Sequence, residues 1–146
     1  MDKLDSKIID ILKKDGRASN AGIAREVGVS EGTVRRRLKR LVQEEYIQVV
    51  AIPDPSKMGL DSRALVGIQV DPDKFDMVAD KVMQLPEVNW VAVTTGSFDV
   101  FAWVTLENAE ALGVFLRSKI GTIPGVRRTE TFVNLGNKKR GSGVVI

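Results

Sequence analysis

The tripeptide Pro53-Asp54-Pro55 cuts the chain into two stretches that cannot share one continuous element, because each proline fixes φ and removes a backbone donor. Before it, apolar residues recur at helical spacing; after it, runs of β-branched residues alternate with helical patterns. The sequence therefore predicts a small helical unit followed by a mixed one, an α+β chain with its boundary in residues 53–60. At 146 residues both parts can bury a core.

The first fifty residues read as three short helices. Asp2 is placed to N-cap the first, with Asp5 as its capping-box partner; Leu4, Ile8, Ile11 and Leu12 share a face, and Gly16 supplies a C-cap. The second starts at Ser19, turns Ile23, Ala24 and Val27 inward, and stops at Gly28. The third starts at the Ser30 cap, buries Val34, Leu38, Leu41 and Val42, and runs to about Glu44. Only Gly28 and Val29 separate the second and third, so these must cross steeply, as in a helix-turn-helix. A strand over residues 47–52 follows, as the wing or pairing strand of a winged variant.

Beyond the proline break, Ser62–Val70 reads as a strand, and Asp71-Pro72 opens a helix that carries Phe75, Val78, Ala79, Val82 and Leu85 inward. Strands over 88–95 and 99–106 are joined by Gly96-Ser97-Phe98, short enough for a hairpin. Asn108 caps a second helix with Leu112, Phe115, Leu116 and Ile120 on one side, and 126–135 is the last strand. The order βαββαβ is that of the ferredoxin-like plait. Right-handed crossovers put both helices on one face of its sheet. Yet the strands are apolar on both sides, with Phe101 and Trp103 opposite Val100, Ala102 and Val104. The open face needs a cover, most simply a second copy of the chain.

Composition removes whole classes of chemistry. The chain has no cysteine and no histidine, which excludes disulfides, Cys/His metal sites, thiol nucleophiles and histidine-based hydrolases. No metal or cofactor is expected. No apolar run is long enough for a membrane helix, and a cytoplasmic protein with no membrane partner is expected. The net charge of +3 arises entirely in residues 1–50, and five of the six residues from Arg35 to Arg40 are cationic. Such a run is either a solvated helix face or a surface for a polyanion.

Setting Val34 at zero and advancing about 100° per residue, Val34, Leu38 and Leu41 cluster within about 40°, while Gly32, Thr33, Arg36, Lys39, Arg40 and Gln43 lie opposite. Arg35 and Arg37 flank that face. A small residue near the helix start followed by Thr and Arg suits the DNA major groove, where Arg pairs bidentately with guanine. Lys39 and Arg40 would lie over phosphates, and Ser30, besides capping the helix, could add a phosphate contact.

Asp10-Ile11-Leu12, Asp15-Gly16-Arg17-Ala18-Ser19, the run from Ile23 to Ser30 and the run from Val34 to Leu41 resemble the DNA-binding domain of the Lrp/AsnC transcription regulators. Gly96-Ser97-Phe98-Asp99 and Ile123-Pro124-Gly125-Val126 resemble that family's ligand-sensing RAM domain. The resemblance covers nearly the whole chain. It implies residues 1–53 as a DNA-binding domain with pairing strand, 54–60 as linker, and 61–146 as a ferredoxin-like sensing and oligomerisation domain. It also implies a homodimer or higher oligomer, double-stranded DNA as partner, and an amino-acid effector held between subunits. Gly96, Ser97 and Asp99 then map onto hairpin positions that hold the effector, and Phe132, Val133 and Asn134 onto last-strand positions tied to the response. Asp99 offers a carboxylate to an ammonium, and free N–H groups near Gly96 offer themselves to a carboxylate. The simpler alternative makes Gly96 a positive-φ turn residue and Asp99 a local turn acceptor.

Two departures from the family pattern stand out. Glu45 occupies a position where many relatives have Gly, and the tail over 138–143 is basic and Gly-rich. A second reading of the same architecture is an enzyme resembling sirohaem decarboxylases; that chemistry is expected to lean on histidine, which the chain lacks.

Overall fold

The computed structural model describes residues 1–138, so most of the basic tail lies outside the described residues, and it divides into two compact units between Ile52 and Pro53. The first holds α1 (Lys3–Lys14), α2 (Asn20–Val27) and α3 (Glu31–Gln43). Asp2 and Asp5 form the reciprocal capping box, each side chain accepting from the other's backbone N–H. Helix α1 ends on Asp15 rather than Gly16, because Asp15 Oδ1 accepts from Arg17 N–H and starts the turn itself. Ser19 and Ser30 cap α2 and α3, and Gly28 ends α2 in the left-handed conformation. Ile8, Ile23, Ala24, Val34 and Leu41 form the core. Val42 is exposed, not buried, since it lies about 80° round the helix from Val34.

Helix α3 stops in a Schellman motif. The Tyr46 N–H donates to the Leu41 carbonyl and the Glu45 N–H to that of Val42. Glu45 itself sits at φ 58°, the only non-glycine residue with positive φ among those described. The strand expected over 47–52 does not form: these residues have no regular structure, and Val49, Val50 and Ile52 are exposed. A strand needs a neighbour to take its backbone groups, and no described segment supplies one. The proline break carries more structure than expected, a 3-10 turn at Pro55–Met58 capped by Asp54 and closed by Gly59.

The second unit is the βαββαβ plait. Strands β1 (Ser62–Val70), β2 (Val88–Val93), β3 (Val100–Leu106) and β4 (Val126–Val133) form an antiparallel sheet in the order β2-β3-β1-β4. Helix α4 (Phe75–Met83) follows a short 3-10 turn, and α5 (Ala109–Phe115) widens into a π turn at Leu116–Ile120, closed by Gly121 N–H to the Leu116 carbonyl. Ala64, Val66, Ile68, Val100, Ala102 and Val104 pack beneath the helices with Val78, Val82, Leu112, Phe115 and Ile120. The alternate residues form the other face. There the register sets Trp90, Trp103, Leu65 and Phe132 in one row across all four strands.

Candidate nucleic-acid interface and effector hairpin

The Ser30 cap fixes the start of α3: Ser30 Oγ accepts from Thr33 N–H at 3.2 Å and bonds the Thr33 hydroxyl at 2.9 Å. Gly32 and Thr33 on the first turn are half-buried, whereas Arg35, Arg36 and Lys39 are exposed and make no ion pair among the described residues. These three cations and the first turn form a continuous surface opposite the core stripe.

Arg37 and Arg40 do not belong to it. Arg40 Nη2 donates to Asp5 Oδ2 at 2.6 Å, and Arg37 Nη1 donates to Asp2 Oδ2 at 2.6 Å and to Asp5 Oδ1 at 3.3 Å. Asp5 is fully buried, so it takes two guanidinium groups and a backbone N–H in place of water. Arg40 Nε is buried without a hydrogen-bond partner, 3.9 Å from Glu44 Oε2. The Asp5 backbone N–H, together with Arg37, holds the Asp2 carboxyl at about 2, and Asp2 in turn raises Arg37. Both arginines sit on the flank of α3 that meets the start of α1, where Asp2 and Asp5 hold them.

In the second unit the β2–β3 hairpin is pinned to the end of β1. Gln69 Nε2 donates to the Ser97 carbonyl at 2.7 Å, Val70 N–H to Asp99 Oδ2 at 2.8 Å, and Thr94 Oγ1 to the Phe98 carbonyl at 2.9 Å. Asp99 accepts from Val70 where the β1–β4 register shifts between Gln69 and Val70. Gly96 has φ 107° and open space around it. The Phe98 ring lies over Gly67 and meets the rings of Phe101 and Phe132 edge-on, at centroid distances of 5.5 and 6.4 Å.

Ser97 and Asp99 therefore lie at the Gln69–Val70 end of β1, beside Gly96, while Phe132 sits opposite Leu65 and reaches the hairpin through the Phe98 ring. Val133 pairs with Ala64, and alternation turns its side chain to the face opposite that of Phe132. Asn134 accepts from Gly136 N–H and donates to Asn137, which occupies its side chain locally. Phe98 and the pair Asp2 and Asp5 were not singled out from sequence as parts of either surface. Signals existed for both: a glycine inside a strand marks a close approach, and an acid three residues before Ile8 falls within the apolar stripe of α1.

A three-helix unit with a cationic third helix, followed by a four-stranded plait, is the architecture expected of a two-part DNA-binding regulator with a sensing domain. Comparison with known proteins agrees along the whole chain. Residues 1–48 match the winged helix-turn-helix DNA-binding family and residues 63–144 match the Lrp/AsnC ligand binding domain. An HTH-type transcriptional regulator of Pyrococcus furiosus is 38% identical over 142 residues, 97% of this chain and 96% of the relative. The HTH-type transcriptional regulator Ptr1 of Methanocaldococcus jannaschii is 35% identical over 147 residues, 100% of this chain and 99% of its own. The structure of Escherichia coli AsnC superposes with a TM-score of 0.88 at 30% identity, covering 96% of this chain and 95% of that one. A Neisseria meningitidis regulator solved as a complex with L-Met has the same fold, with a TM-score of 0.90 at 24% identity over 99% and 96% of the two chains.

The chain belongs to the Lrp/AsnC family. It is a transcriptional regulator and not an enzyme, as its relatives are named, which sets aside the sirohaem alternative. No helix among the described residues is long and apolar enough to cross a membrane.

Proposed function

We propose that this regulator reads double-stranded DNA sequence-specifically through the exposed face of α3, works in the cytoplasm as a homodimer closed over the open face of its sheet, and responds to an amino acid. The observation that carries the first part is the exposed, unpaired set Arg35, Arg36 and Lys39 beside Gly32 and Thr33 on a capped helix. Gly32 and Thr33 let the backbone approach, Arg36 reads a base edge, and Lys39, Arg35 and Ser30 contact phosphates.

The dimer reading is supported by the row Trp90, Trp103, Leu65 and Phe132, an apolar strip across the sheet in which Trp90 and Phe132 are exposed and a second copy would find a face to cover. The effector reading is supported by Asp99 and Gly96 on the pinned hairpin, with one Asp99 oxygen bonded to Val70 and the other left for an ammonium. The meningococcal neighbour, whose structure is an L-Met complex, supports the same chemical class.

Fluorescence anisotropy with duplex DNA from upstream of its own coding sequence, set against an unrelated duplex, tests the reading. Tighter binding to the former is expected, and Arg36→Ala should cost about 1–3 kcal/mol there and relax one base preference. Equal binding to both duplexes, or an Arg36→Ala variant with unchanged specificity, would overturn it.

A further inference from the structure

We propose that Asp5 is a specificity-determining residue of the DNA-binding unit, acting through Arg40 and Arg37 to withhold two of the five cations of α3 from the DNA backbone. The proposal rests on the DNA-binding role of α3 set out above and adds a division of labour within that helix.

Three observations carry it. Arg37 and Arg40 are three residues apart on one flank of α3, and Asp2 and Asp5 are three residues apart at the start of α1, so the two pairs meet as a four-membered charge network. Asp5 is wholly buried at its centre and holds both guanidinium groups, while Asp2 is shared between capping α1 and pairing Arg37. Among the described residues, Arg35, Arg36 and Lys39 have no such partners. A recognition helix with five free cations would bind any duplex strongly, because each phosphate contact adds a sequence-independent gain. Neutralising two of them on the protein side lowers that gain without touching the face that reads bases. The same contacts hold α3 against α1, which keeps Arg36 at a fixed angle to the core. Asp5 is thus a positioning residue whose effect appears in how binding depends on salt.

Each cation that contacts a phosphate contributes about 0.9 to the slope of log Kobs against log salt concentration. The test measures that slope by fluorescence anisotropy for the full chain on a duplex of unrelated sequence, with folding of each variant checked by circular dichroism. Lys39→Gln is expected to flatten the slope by about 0.9 per DNA-binding unit, and Arg40→Gln to leave it unchanged. Asp5→Asn is expected to steepen it by about 0.9 per unit, as Arg40 is released while Arg37 stays with Asp2, and to lower the ratio of cognate to unrelated binding. If Asp5→Asn does not fold, the contrast between Lys39→Gln and Arg40→Gln decides alone. A slope flattened as much by Arg40→Gln as by Lys39→Gln, or a folded Asp5→Asn with the wild-type slope, would overturn the proposal. Failure of the underlying reading looks different: neither Lys39→Gln nor Arg36→Ala would then alter binding, and the proposal would fall with it.

Discussion

The ring of Phe98 occupies the place where a side chain on Gly67 would begin: a Cβ built on Gly67 would lie 2.8 Å from Phe98 Cγ. A hairpin residue is thereby seated on the middle strand of the sheet, and through Phe101 and Phe132 it ties the candidate effector hairpin to β3 and β4. Gly67→Ala is expected to unseat the ring and destabilise the second unit by about 1–3 kcal/mol, the usual cost of overpacking. In a Phe98→Ala background the same change should be nearly neutral. Urea denaturation of the four proteins in that cycle measures the coupling, and additive effects would mean that the ring does not depend on the glycine.

At the end of α3, Glu45 adopts the left-handed conformation that glycine takes without steric cost. Glu45→Gly is expected to stabilise the first unit by about 0.5–1 kcal/mol, relief of strain outweighing the added freedom of the unfolded chain. Glu45→Ala should give no such gain. Thermal unfolding of both variants checks this, and equal effects would place the strain elsewhere.

On the effector reading proposed above, Asp99 has two duties that substitution can separate. Its Oδ2 accepts from the Val70 N–H, so Asp99→Ala removes a partner from a half-buried donor and should cost about 1–3 kcal/mol of stability. Asp99→Asn keeps an acceptor but loses the charge that an amino-acid ammonium would need. The wild type is expected to give heat with at least one of the twenty amino acids in calorimetry. Asp99→Asn should fold normally and give none; heat equal to that of the wild type would remove Asp99 from the effector site.

Much of this could be read from the residues alone, and the gaps have physical causes. Ser62–Val70 was readable to the residue because alternation of buried and half-buried positions is local, and the caps Asp2, Ser19, Ser30 and Asn108 each act within four residues of chain. The stretch 47–52 has strand composition yet forms no strand, since pairing depends on a partner that composition does not show. The ion pairs of Arg37 and Arg40 were not legible from α3 alone, because a single helix projection identifies the buried stripe but not which flank meets another helix. The matched three-residue spacing of Asp2 and Asp5 would have supplied that information. The resemblance places Val133 beside Phe132 in the last strand, and neighbours in a strand point to opposite faces, so their side chains do not share one surface.

Trp103 lies at the middle of the apolar row, between Trp90 and Leu65, and is half-buried in the single chain. Glutamate there remains hydrated in a monomer but would be an unpaired charge in a closed dimer. Trp103→Glu is therefore expected to shift sedimentation from dimer to monomer while leaving the far-ultraviolet circular dichroism unchanged. A wild-type protein that sediments as a monomer at micromolar concentration would refute the assignment of this face. A dimer also carries two copies of α3, so half-sites about 34 Å apart in a near-palindromic operator are expected.

The charge network at the start of α1 should also show in acid. The Asp2 carboxyl titrates at about 2 in the folded chain against an ordinary 3.8, held down first by the Asp5 backbone N–H and then by Arg37. A group whose folded value is depressed contributes stability that is fully present above its unfolded value and disappears as pH falls through the folded one. The contribution of Asp2 is therefore complete above about pH 4 and should fade between about pH 4 and pH 2. Asp2→Asn isolates it, because asparagine is an equally good N-cap and what is lost is the charge facing the Asp5 N–H and Arg37. Thermal unfolding of the first unit at pH 5 should show the variant melting below the wild type, and the gap should narrow progressively as pH approaches 2. Equal melting of the two proteins at pH 5 would mean that Asp2 acts through the cap alone, with no stability drawn from its charge.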